Sequence, residues 1–488
     1  MNIVDPILFQ CRRQPPTAAI CVPGPGIGLI SYRRLETFIH NVSRRLLSLG
    51  LPPGSIVAVN IEDVIFHAVV LLAATRLGMV TISLRQDNVS LPINVAALIT
   101  AAKSSFTDVG RVVLADLSWT EGDGQPLEPH HLPRADENAI CRIILTSGTT
   151  NEPKAVALSQ RLLAARINRH WTVFGNRFAN CQCIYSDVPI SSSLGFQSLI
   201  YALWRGGTAF FPGNDFAGTL RVFEEYKVQC LVGSPGGFEN LLRWFETIPA
   251  YQSNVELLVC GGDVLSRSLS DRLRSRICSH LIAAYGSTEA SMSATAHAHE
   301  IADMARAVGF VTPGVAVQVV DATGTMLGAG AEGYIRIRSE FAVDGYLGKP
   351  EASANIFRDG WFYPGDIGTL SPDGLLAISG REQTVLNLGG DKINPETVEL
   401  ALSQFKGIVE AAVCSAPNEL GNNEIFALVV SREKLDERQL RTHCEARLPR
   451  TFVPVKFLPI DSLPHNEMGK IDRRQLPELC KRALGRAT

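Results

Sequence analysis

The 488-residue sequence predicts an α/β fold that ends in a smaller α+β module. Three observations lead to this prediction. Short apolar strands alternate with helices through the first part of the chain, which is typical of parallel sheets covered by helices on both faces. Residues 306–373 instead show strands and turns, which indicates a β-rich subdomain. After Gly380 the alternation of helices and strands begins again, so we predict two domains, 1–380 and 381–488.

The first predicted elements follow in regular order. Ser31 is a suitable N-cap for a helix that Gly50 ends. The apolar residues on one face of this helix are Leu35, Phe38, Ile39, Val42, Leu46 and Leu49. The next elements are a strand over Ile56–Asn60, a helix over Val64–Leu77 and a strand over Val80–Leu84.

The same pattern recurs in the middle of the chain. Strands are predicted over Leu231–Gly233, Leu257–Cys260 and Leu281–Tyr285, and a polar helix over Ser266–Cys278. This repetition of strand and helix supports a second parallel sheet.

The C-terminal module starts with a strong helix signal. Asn394 is a suitable N-cap, Pro395 occupies the first helical position, and Glu396 places an acid in the first turn. Predicted strands over Val409–Cys414 and Ile425–Val430 and a helix over Asp436–Leu448 follow.

Composition restricts the kinds of partner. The chain has 46 Lys plus Arg and 48 Asp plus Glu, so its net charge of −2 argues against nucleic acid or an acidic membrane as the main partner.

The eleven cysteines include no CxxC pair, which favours reduced thiols. The N-terminus does not resemble a signal peptide, and the apolar stretch Ala68–Val80 is too short to span a bilayer. We therefore expect a cytoplasmic protein.

Four motifs carry polar or charged groups suited to nucleotide chemistry. Leu145–Ser159 reads LTSGTTNEPKAVALS, in which a strand leads into hydroxyls, a glycine and a lysine. Such a loop can hold a polyphosphate, although it is not a P-loop and an ordinary polar turn has the same composition. YGSTE follows an apolar strand, where Tyr285 could stack on a base and Glu289 could bind Mg²⁺, or the tyrosine could simply pack.

The remaining two motifs are individually weak. GWFYPGD places Asp366 after a Pro-Gly turn, where it could bind a ribose diol or its own backbone. LPHNEMGKI places Lys470 in a turn-rich segment, where a lysine is usually only solvated. The order and spacing of all four motifs are much more specific than any one of them.

In that order and spacing, the chain resembles the adenylate-forming enzymes: acyl-CoA synthetases, adenylation domains of nonribosomal peptide synthetases, and beetle luciferases. The resemblance covers nearly the whole chain, and VGFVTPG and FAVDGYLGKPE look like connecting segments of the family. It implies a large N-terminal domain of stacked α/β subdomains and a small mobile C-terminal domain that rotates between two half-reactions. Acyl- and aryl-CoA ligases are the most similar group.

The resemblance assigns a role to each matching position. The residues that would bind the β- and γ-phosphates of ATP are Thr146, Ser147, Gly148, Thr149, Thr150 and Lys154. Those that would bind adenine and ribose are Tyr285, Gly286, Gly261, Gly262, Asp263, Asp366 and Arg381. The resemblance further implies that Thr288 contacts the α-phosphate, that Glu289 binds Mg²⁺, and that Lys470 is the catalytic lysine. Gly389 and Gly390 would line the thiol tunnel, and Gln383 would occupy the hinge.

The implied reaction joins a carboxylic acid to a thiol in two steps. A carboxylate attacks the α-phosphorus of ATP, which gives an acyl-adenylate and pyrophosphate, and a thiol then displaces AMP. Negative charge builds up at the α-phosphate, so Lys470 and Mg²⁺ should converge there. ATP, Mg²⁺ and CoA, or the phosphopantetheine of a carrier protein, are the expected cofactors.

The sequence departs from the family at several positions. Amino-acid-activating members carry an Asp where this chain has Ser193, which disfavours an α-amino acid because a buried ammonium would lack its counter-ion. Ser192 replaces the His or aromatic gate of many acyl-CoA synthetases, and Gln383 replaces the usual charged hinge residue. Asn151 and Ala155 replace glycines of the phosphate loop, and asparagine tolerates the left-handed backbone best.

The identity of the acid stays open at this point. The candidate pocket residues are Ser192, Ser193, Phe196, Gly236 and Met292, but the depth of a pocket is not encoded locally. A free-standing enzyme that loads the phosphopantetheine of a carrier protein is the first alternative to a CoA ligase. The chain contains no carrier-like sequence, so the carrier would be a separate protein. A nucleotide-binding relic and a luciferase-like oxidation are further alternatives. Lys470 and Glu289 are both present, which argues against the relic.

Overall fold

The computed structural model describes residues 2–24, 28–84, 91–102, 109–134, 136–146, 153–213, 216–248, 253–304, 306–382, 386–388, 391–417, 423–431, 433, 435–466 and 470–485. Up to residue 210 its elements are α1 (Asp5–Arg13), β1 (Ala18–Val22), β2 (Gly28–Ser31), α2 (Tyr32–Leu47), β3 (Ile56–Asn60), α3 (Val64–Arg76), β4 (Val80–Ser83), β5 (Ala97–Thr100), β6 (Val112–Leu114), β7 (Ile140–Thr146), β8 (Lys154–Ser159), α4 (Gln160–Asn180), β9 (Cys183–Ser186), α5 (Ser193–Trp204) and β10 (Thr208–Phe210).

From there to residue 381 they are α6 (Phe216–Tyr226), β11 (Cys230–Gly233), α7 (Pro235–Glu246), β12 (Leu257–Gly261), α8 (Arg267–Arg276), β13 (Leu281–Ser287), β14 (Ser291–His297), β15 (Ala307–Val311), β16 (Val315–Val320), β17 (Gly333–Ser339), α9 (Pro350–Ile356), β18 (Phe357–Arg358), β19 (Trp361–Phe362), β20 (Asp366–Leu370) and β21 (Leu375–Arg381). The C-terminal elements are β22 (Leu386–Leu388), β23 (Asp391–Ile393), α10 (Pro395–Ser403), β24 (Ile408–Pro417), β25 (Asn423–Ser431), α11 (Glu437–Glu445), β26 (Lys456–Pro459) and α12 (Leu476–Ala483).

The predicted helix starts are confirmed by their caps. Ser31 Oγ accepts from the Arg34 amide at 3.4 Å at the start of α2, and the side chain of Ser266 caps α8 in the same way. Asn394 caps α10 by accepting from the Glu396 amide at 3.1 Å. Each cap satisfies one of the backbone donors that the first turn of a helix leaves without a partner.

Two sheets organise the first 381 residues. One has the strand order β6-β5-β3-β4-β7-β8 and is parallel except for the β7–β8 hairpin. The larger one runs β18-β19-β17-β20-β21-β15-β14-β13-β12-β11-β9-β10-β1-β2, with β16 paired to β17. Within it, β10, β9, β11, β12 and β13 are parallel, whereas β13 to β21 pair antiparallel. The prediction of a β-rich subdomain after residue 306 is thereby confirmed.

Helix α3 is buried on every side. Its residues from Phe66 to Arg76 are all inaccessible or nearly so, and it contacts β3, β4 and β1 of the two sheets. A helix that is apolar all round is a core element in a large protein. Within the described ranges, every helix is too short or too polar to cross a membrane.

The C-terminal module is a three-stranded sheet with helices on both faces. Along β24, alternate residues point to opposite faces, as the period of a strand requires. Val413 packs with α10 and α11, whereas Ala412 and Cys414 pack with α12. The mixed α/β class with a large N-terminal and a smaller C-terminal domain is thus confirmed.

The module contacts the end of β21 directly. Asn394 Nδ2 donates to the Ser379 carbonyl at 2.6 Å, and the Arg381 amide donates to Glu396 Oε2 at 3.1 Å. A Cβ at Gly380 would lie 1.5 Å from Asn394 Nδ2, so the close approach requires a glycine. The module is therefore held beside β21, the strand of the large sheet that comes last in the sequence.

All eleven cysteines lie in described residues and are free thiols. Burial raises the pKa of Cys11 and Cys21 to about 12. A thiol with such a raised pKa stays protonated at neutral pH. Because the thiolate is the reactive form, these cysteines pack as small apolar side chains.

Candidate active site

Several of the functional candidates lie at one edge of the large sheet. The parallel strands β9, β11, β12 and β13 lie side by side, so their C-terminal ends and the loops that follow are neighbours. Ligands of open α/β sheets bind at this edge. Here it carries the segments that follow Ser186, Gly233, Gly261 and Ser287.

Three predicted nucleotide-binding side chains meet in one hydrogen-bonded group. Asp366 begins β20 and lies opposite Arg381, the last residue of β21, in the strand register. Arg381 Nε donates to Asp366 Oδ1 at 2.9 Å, and the Tyr285 hydroxyl donates to Asp366 Oδ2. The Asp366 carboxylate is only 3% exposed, and the two donors offset the cost of burying its charge.

The pKa shifts agree with this arrangement. Burial, followed by the Asp366 carboxylate, raises the pKa of Tyr285 far above its usual value, so the phenol stays protonated as a donor. The same carboxylate is the main cause of the raised pKa of Arg381. The backbone of Gly365 has a φ of +79°, a left-handed conformation that glycine adopts without strain. This conformation turns the chain into β20.

The predicted adenine-side segment lies one strand away. Gly261 ends β12 beside Ala284 of β13, and Gly262 has φ of +92°, which favours glycine. Asp263 is exposed, and its Oδ1 accepts from the Val264 amide at 2.8 Å. Gly286 pairs with Met292 across the β13–β14 hairpin.

The Thr288–Glu289 turn is held by an arginine that sequence reasoning missed. Arg166 on α4 is fully buried and donates from Nη1 to the Thr288 carbonyl and from Nη2 to the Glu289 carbonyl, each at 2.9 Å. It also donates from Nε to the Phe341 carbonyl at 2.9 Å. Burial lowers the pKa of Arg166 to about 10, which still leaves it charged at neutral pH. No sequence motif marks this residue.

The Glu289 carboxylate has a second unpredicted partner. The Tyr346 hydroxyl donates to Glu289 Oε1 at 2.9 Å, and the Lys154 ammonium lies 4.9 Å from the centre of the Tyr346 ring. The Leu347 amide donates to the Ala155 carbonyl at 2.9 Å. Tyr346 lies in the segment FAVDGYLGKPE, and that signal could have identified it. Tyr346 thus connects the candidate phosphate lysine with the candidate metal ligand.

The predicted phosphate loop is described only at its ends. Thr146 and Lys154 face each other as the last and first residues of β7 and β8. The loop members Ser147, Gly148, Thr149 and Thr150 lie outside the described residues, as do Gln383, Gly389 and Gly390.

Lys470 faces the same group of charges. Two hydrogen bonds join it to Asn466: the Asn466 amide donates to the Lys470 carbonyl at 2.7 Å, and the Lys470 amide donates to Asn466 Oδ1 at 3.1 Å. Burial lowers the pKa of its ammonium, while the carboxylates of Asp263, Asp366 and Glu289 act in the opposite direction. The C-terminal module therefore brings a lysine into the field of three carboxylates of the large domain.

The candidate pocket residues occupy different environments. Ser192 caps α5 by accepting from the Gly195 amide at 3.0 Å, and its hydroxyl donates to the Pro189 carbonyl at 2.7 Å. Ser193 Oγ accepts from Gln197 at 2.8 Å. Phe196 is buried, and the Arg142 guanidinium lies 4.6 Å from the centre of the Phe196 ring. Gly236 is partly accessible in the first turn of α7.

Within the described ranges, no group of three or more His, Cys, Asp or Glu side chains is arranged to hold a metal ion. The donor set at Glu289 is a single carboxylate. This fits Mg²⁺, which in nucleotide sites is bound by one or two carboxylates together with substrate phosphates.

Two family models match the chain. The AMP-binding enzyme model covers residues 9–347, and the model of the AMP-binding enzyme C-terminal domain covers residues 397–470. The first of these matches spans well over half of the sequence.

Individual relatives and structures agree with these matches. The chain is 27% identical to a 4-chlorobenzoate–CoA ligase of an Arthrobacter species, over 97% of this chain and 94% of that protein. It is 26% identical to a 2-hydroxy-7-methoxy-5-methyl-1-naphthoate–CoA ligase of Streptomyces carzinostaticus, over 96% and 91%. Its fold matches o-succinylbenzoate CoA synthetase of Bacillus subtilis, solved with an acyl-adenylate, at a TM-score of 0.81 and 19% identity, covering 97% of each chain.

Proposed function

The chain belongs to the AMP-binding enzyme family, and on that premise we propose that it activates a carboxylic acid with ATP and transfers the acyl group to CoA. The observation that carries this proposal is the convergence of Tyr285, Asp366 and Arg381 with Lys470 at one sheet edge. The CoA ligases among the relatives support the thiol step.

We propose that the nucleotide binds across the ends of β12 and β13. The Asp366 carboxylate would accept hydrogen bonds from the ribose hydroxyls beside Arg381, in exchange for the bond it now receives from Tyr285. The Tyr285 ring would then stack on adenine, with Gly261, Gly262 and Asp263 on the other side. Thr146 to Thr150 and Lys154 would bind the β- and γ-phosphates, because hydroxyls and an ammonium are suitable donors for them.

The first chemical step forms one bond and breaks another at the α-phosphorus. A substrate carboxylate oxygen attacks it, and pyrophosphate leaves with the bonding electrons. Thr288 and Lys470 would stabilise the charge that develops on the non-bridging oxygens. Glu289 would hold Mg²⁺, which when bound neutralises phosphate charge. Arg166 and Tyr346 would keep Glu289 and its turn in place.

The second step needs a different arrangement of the two domains. A thiolate attacks the acyl carbon, and AMP leaves. We propose that the C-terminal domain, predicted as residues 381–488, rotates about Gln383 against residues 1–380, with Arg381 staying in β21 beside Asp366. This movement would withdraw Lys470 and bring Gly389 and Gly390 to the thiol path. It would also protect the adenylate from water until the acceptor arrives.

A panel of carboxylic acids tests the proposal. Each acid is incubated with ATP and Mg²⁺, with and without CoA, and pyrophosphate, AMP and acyl-CoA are measured. We expect pyrophosphate release that depends on the acid, and stoichiometric acyl-CoA and AMP when CoA is present. Failure of every acid to release pyrophosphate would contradict adenylation. Adenylation without any acyl-CoA would instead favour the carrier-protein alternative, which a phosphopantetheinylated carrier protein would then test.

A further inference from the structure

A carboxylate that the proposed reaction does not use lies at the same sheet edge. Asp187 directly follows β9, and its amide donates to the Val232 carbonyl of β11 at 2.9 Å, which continues the pairing of these two strands. Its side chain therefore belongs to the row of groups at the C-terminal ends of the parallel strands, where ligands of such sheets bind.

The neighbouring helix leaves room for this carboxylate. A Cβ at Gly237, in the first turn of α7, would lie 1.3 Å from Asp187 Oδ2 and 2.4 Å from its Cγ. Gly237 does not have a positive φ, so its conformation suits any residue. The glycine is needed for the space it leaves, which the Asp187 side chain fills.

Among the described residues no side-chain cation balances the Asp187 charge, and the first turn of α7 beside Gly237 supplies only the partial positive charge of a helix N-terminus. No hydrogen-bond donor or cation contacts its carboxylate in the part of the chain that the structure describes, and desolvation alone raises its pKa to about 6. The Asp187 charge contributes to the raised pKa values of Tyr185 and Cys260, neither of which is a cation. At neutral pH the carboxylate is mainly ionised, and a desolvated charge without a partner is costly.

Asp187 lies beside the candidate pocket residue Gly236, because its carboxylate reaches Gly237 in the first turn of α7. Asp187, Pro235, Gly236 and Gly237 are each partly accessible. The strand order β9-β11-β12-β13 separates the end of β9 from Tyr285 by three strand spacings, roughly 14 Å at about 4.8 Å each. An acyl group that extends along the sheet edge away from Tyr285 would therefore run towards Asp187.

We propose that Asp187 determines specificity by binding a cationic nitrogen at the end of the substrate remote from its carboxyl group. The inference rests on the proposed function and names the class of acid: a carboxylic acid with a distal amine. It is also compatible with Ser193. That position lacks the carboxylate that an α-ammonium would require, whereas a distal ammonium would reach Asp187 instead.

Matched pairs of acids test this assignment in the full-length enzyme. Each pair has the same shape and differs in a terminal ammonium or methyl group: 4-(aminomethyl)benzoate with 4-ethylbenzoate, 5-aminopentanoate with hexanoate, and 6-aminohexanoate with heptanoate. Pyrophosphate release gives kcat/KM for each acid. We expect the amine to be preferred at least tenfold in at least one pair. Preference for the methyl acid in every pair would overturn the inference and leave the proposed function intact.

The isosteric variant Asp187→Asn tests the residue itself. We expect the amine-to-methyl ratio of kcat/KM to fall at least tenfold, because one charge-assisted contact is lost. The control Asp303→Asn removes a carboxylate from an exposed position, paired only with Arg267 at the surface, and should leave the ratio unchanged. An unchanged ratio in Asp187→Asn would overturn the assignment. If this variant does not fold, as judged by thermal unfolding, the wild-type pairs decide the question. Pyrophosphate release with other acids of the panel but with none of these six would overturn this inference and leave the proposed function intact.

Discussion

Asp366 and Lys470 show how single side chains of opposite charge share one site. The carboxylate is almost inaccessible and accepts from both Arg381 and Tyr285, while the ammonium is desolvated and lies in the field of the same carboxylate. Each group is costly to bury alone, and each offsets part of the cost of the other.

We expect replacement of Lys470 to slow the first half-reaction and to spare the second. Lys470→Ala should lower the rate of adenylate formation by about 10²–10³-fold, because one preorganised contact to the developing charge is lost. Thioester formation from a supplied acyl-adenylate should persist, since we place Lys470 away from the site in that step. Pyrophosphate exchange and acyl-CoA formation measure the two reactions. Equal loss in both would contradict the two-state mechanism.

Replacement of Arg166 tests the support of the Thr288–Glu289 turn. Arg166→Met should lower the free energy of unfolding by about 3 kcal/mol, because it leaves buried carbonyls without donors. Denaturation by urea measures this change, and kcat should fall as the turn loses its position. Arg161→Met is a matched control at an exposed position of the same helix, with an expected change within about 0.5 kcal/mol. Similar effects of the two substitutions would refute the supporting role.

At the scale of elements, the residues on either side of Lys470 are held by a strand bridge and one ion pair. His465 pairs with Ile471 in an isolated antiparallel bridge, and His465 Nε2 lies 2.7 Å from Glu410 Oε1 of β24. The hydrogen bond to Glu410 is the main cause of the raised pKa of His465, to which the Leu463 carbonyl and Asp263 also contribute. The ion pair anchors the lysine-bearing segment to the sheet of its own module.

The stabilisation by this pair should depend on pH. Because the folded-state pKa of His465 is raised above 6.5, its contribution is fully present below the unfolded pKa and is lost as pH rises through the folded pKa. We expect Glu410→Gln to destabilise the protein by about 0.5–1 kcal/mol near pH 5.5 and much less near pH 9, since the pair is partly exposed. Urea denaturation at the two pH values measures this. His465→Gln should abolish the difference, and a pH-independent effect of Glu410→Gln would contradict the ion-pair account.

At the scale of the whole molecule, the two domains must take up two relative positions in the proposed reaction. We assign the contacts of Asn394 and Glu396 with the end of β21, and the position of Lys470 in the field of Asp263 and Asp366, to the adenylation step of the proposed reaction. The thioester step needs these contacts to change.

Gln383→Pro tests the proposed rotation. Proline restricts φ to about −65°, so it should prevent the change in backbone dihedrals that a hinge requires. We expect adenylate formation to be retained and thioester formation to fall at least tenfold, the reverse of Lys470→Ala. Pyrophosphate exchange and acyl-CoA formation again give the two rates. Undiminished acyl-CoA formation would show that the chain does not hinge at residue 383.

Much of the fold followed from local sequence signals. The caps at Ser31 and Asn394 and the short apolar strands gave elements within a few residues of their observed bounds. The burial of α3 between two sheets follows from its apolar composition. Helix α9 inside the β-rich region was not predicted. Its seven residues contain no buried side chain, so the helix has no periodic apolar face in the sequence.

The candidate site was likewise predicted only in part from the sequence. Motif order determined the family resemblance and the choice of Tyr285, Glu289, Asp366, Arg381 and Lys470, because these residues occur in contiguous, recognisable segments. Only the tertiary structure decided that Arg166 supports Glu289 across 123 positions of sequence, and that Asp187 fills the space beside Gly237. Local sequence specifies propensities, caps and turns, whereas contacts between distant residues depend on how the sheets and helices pack.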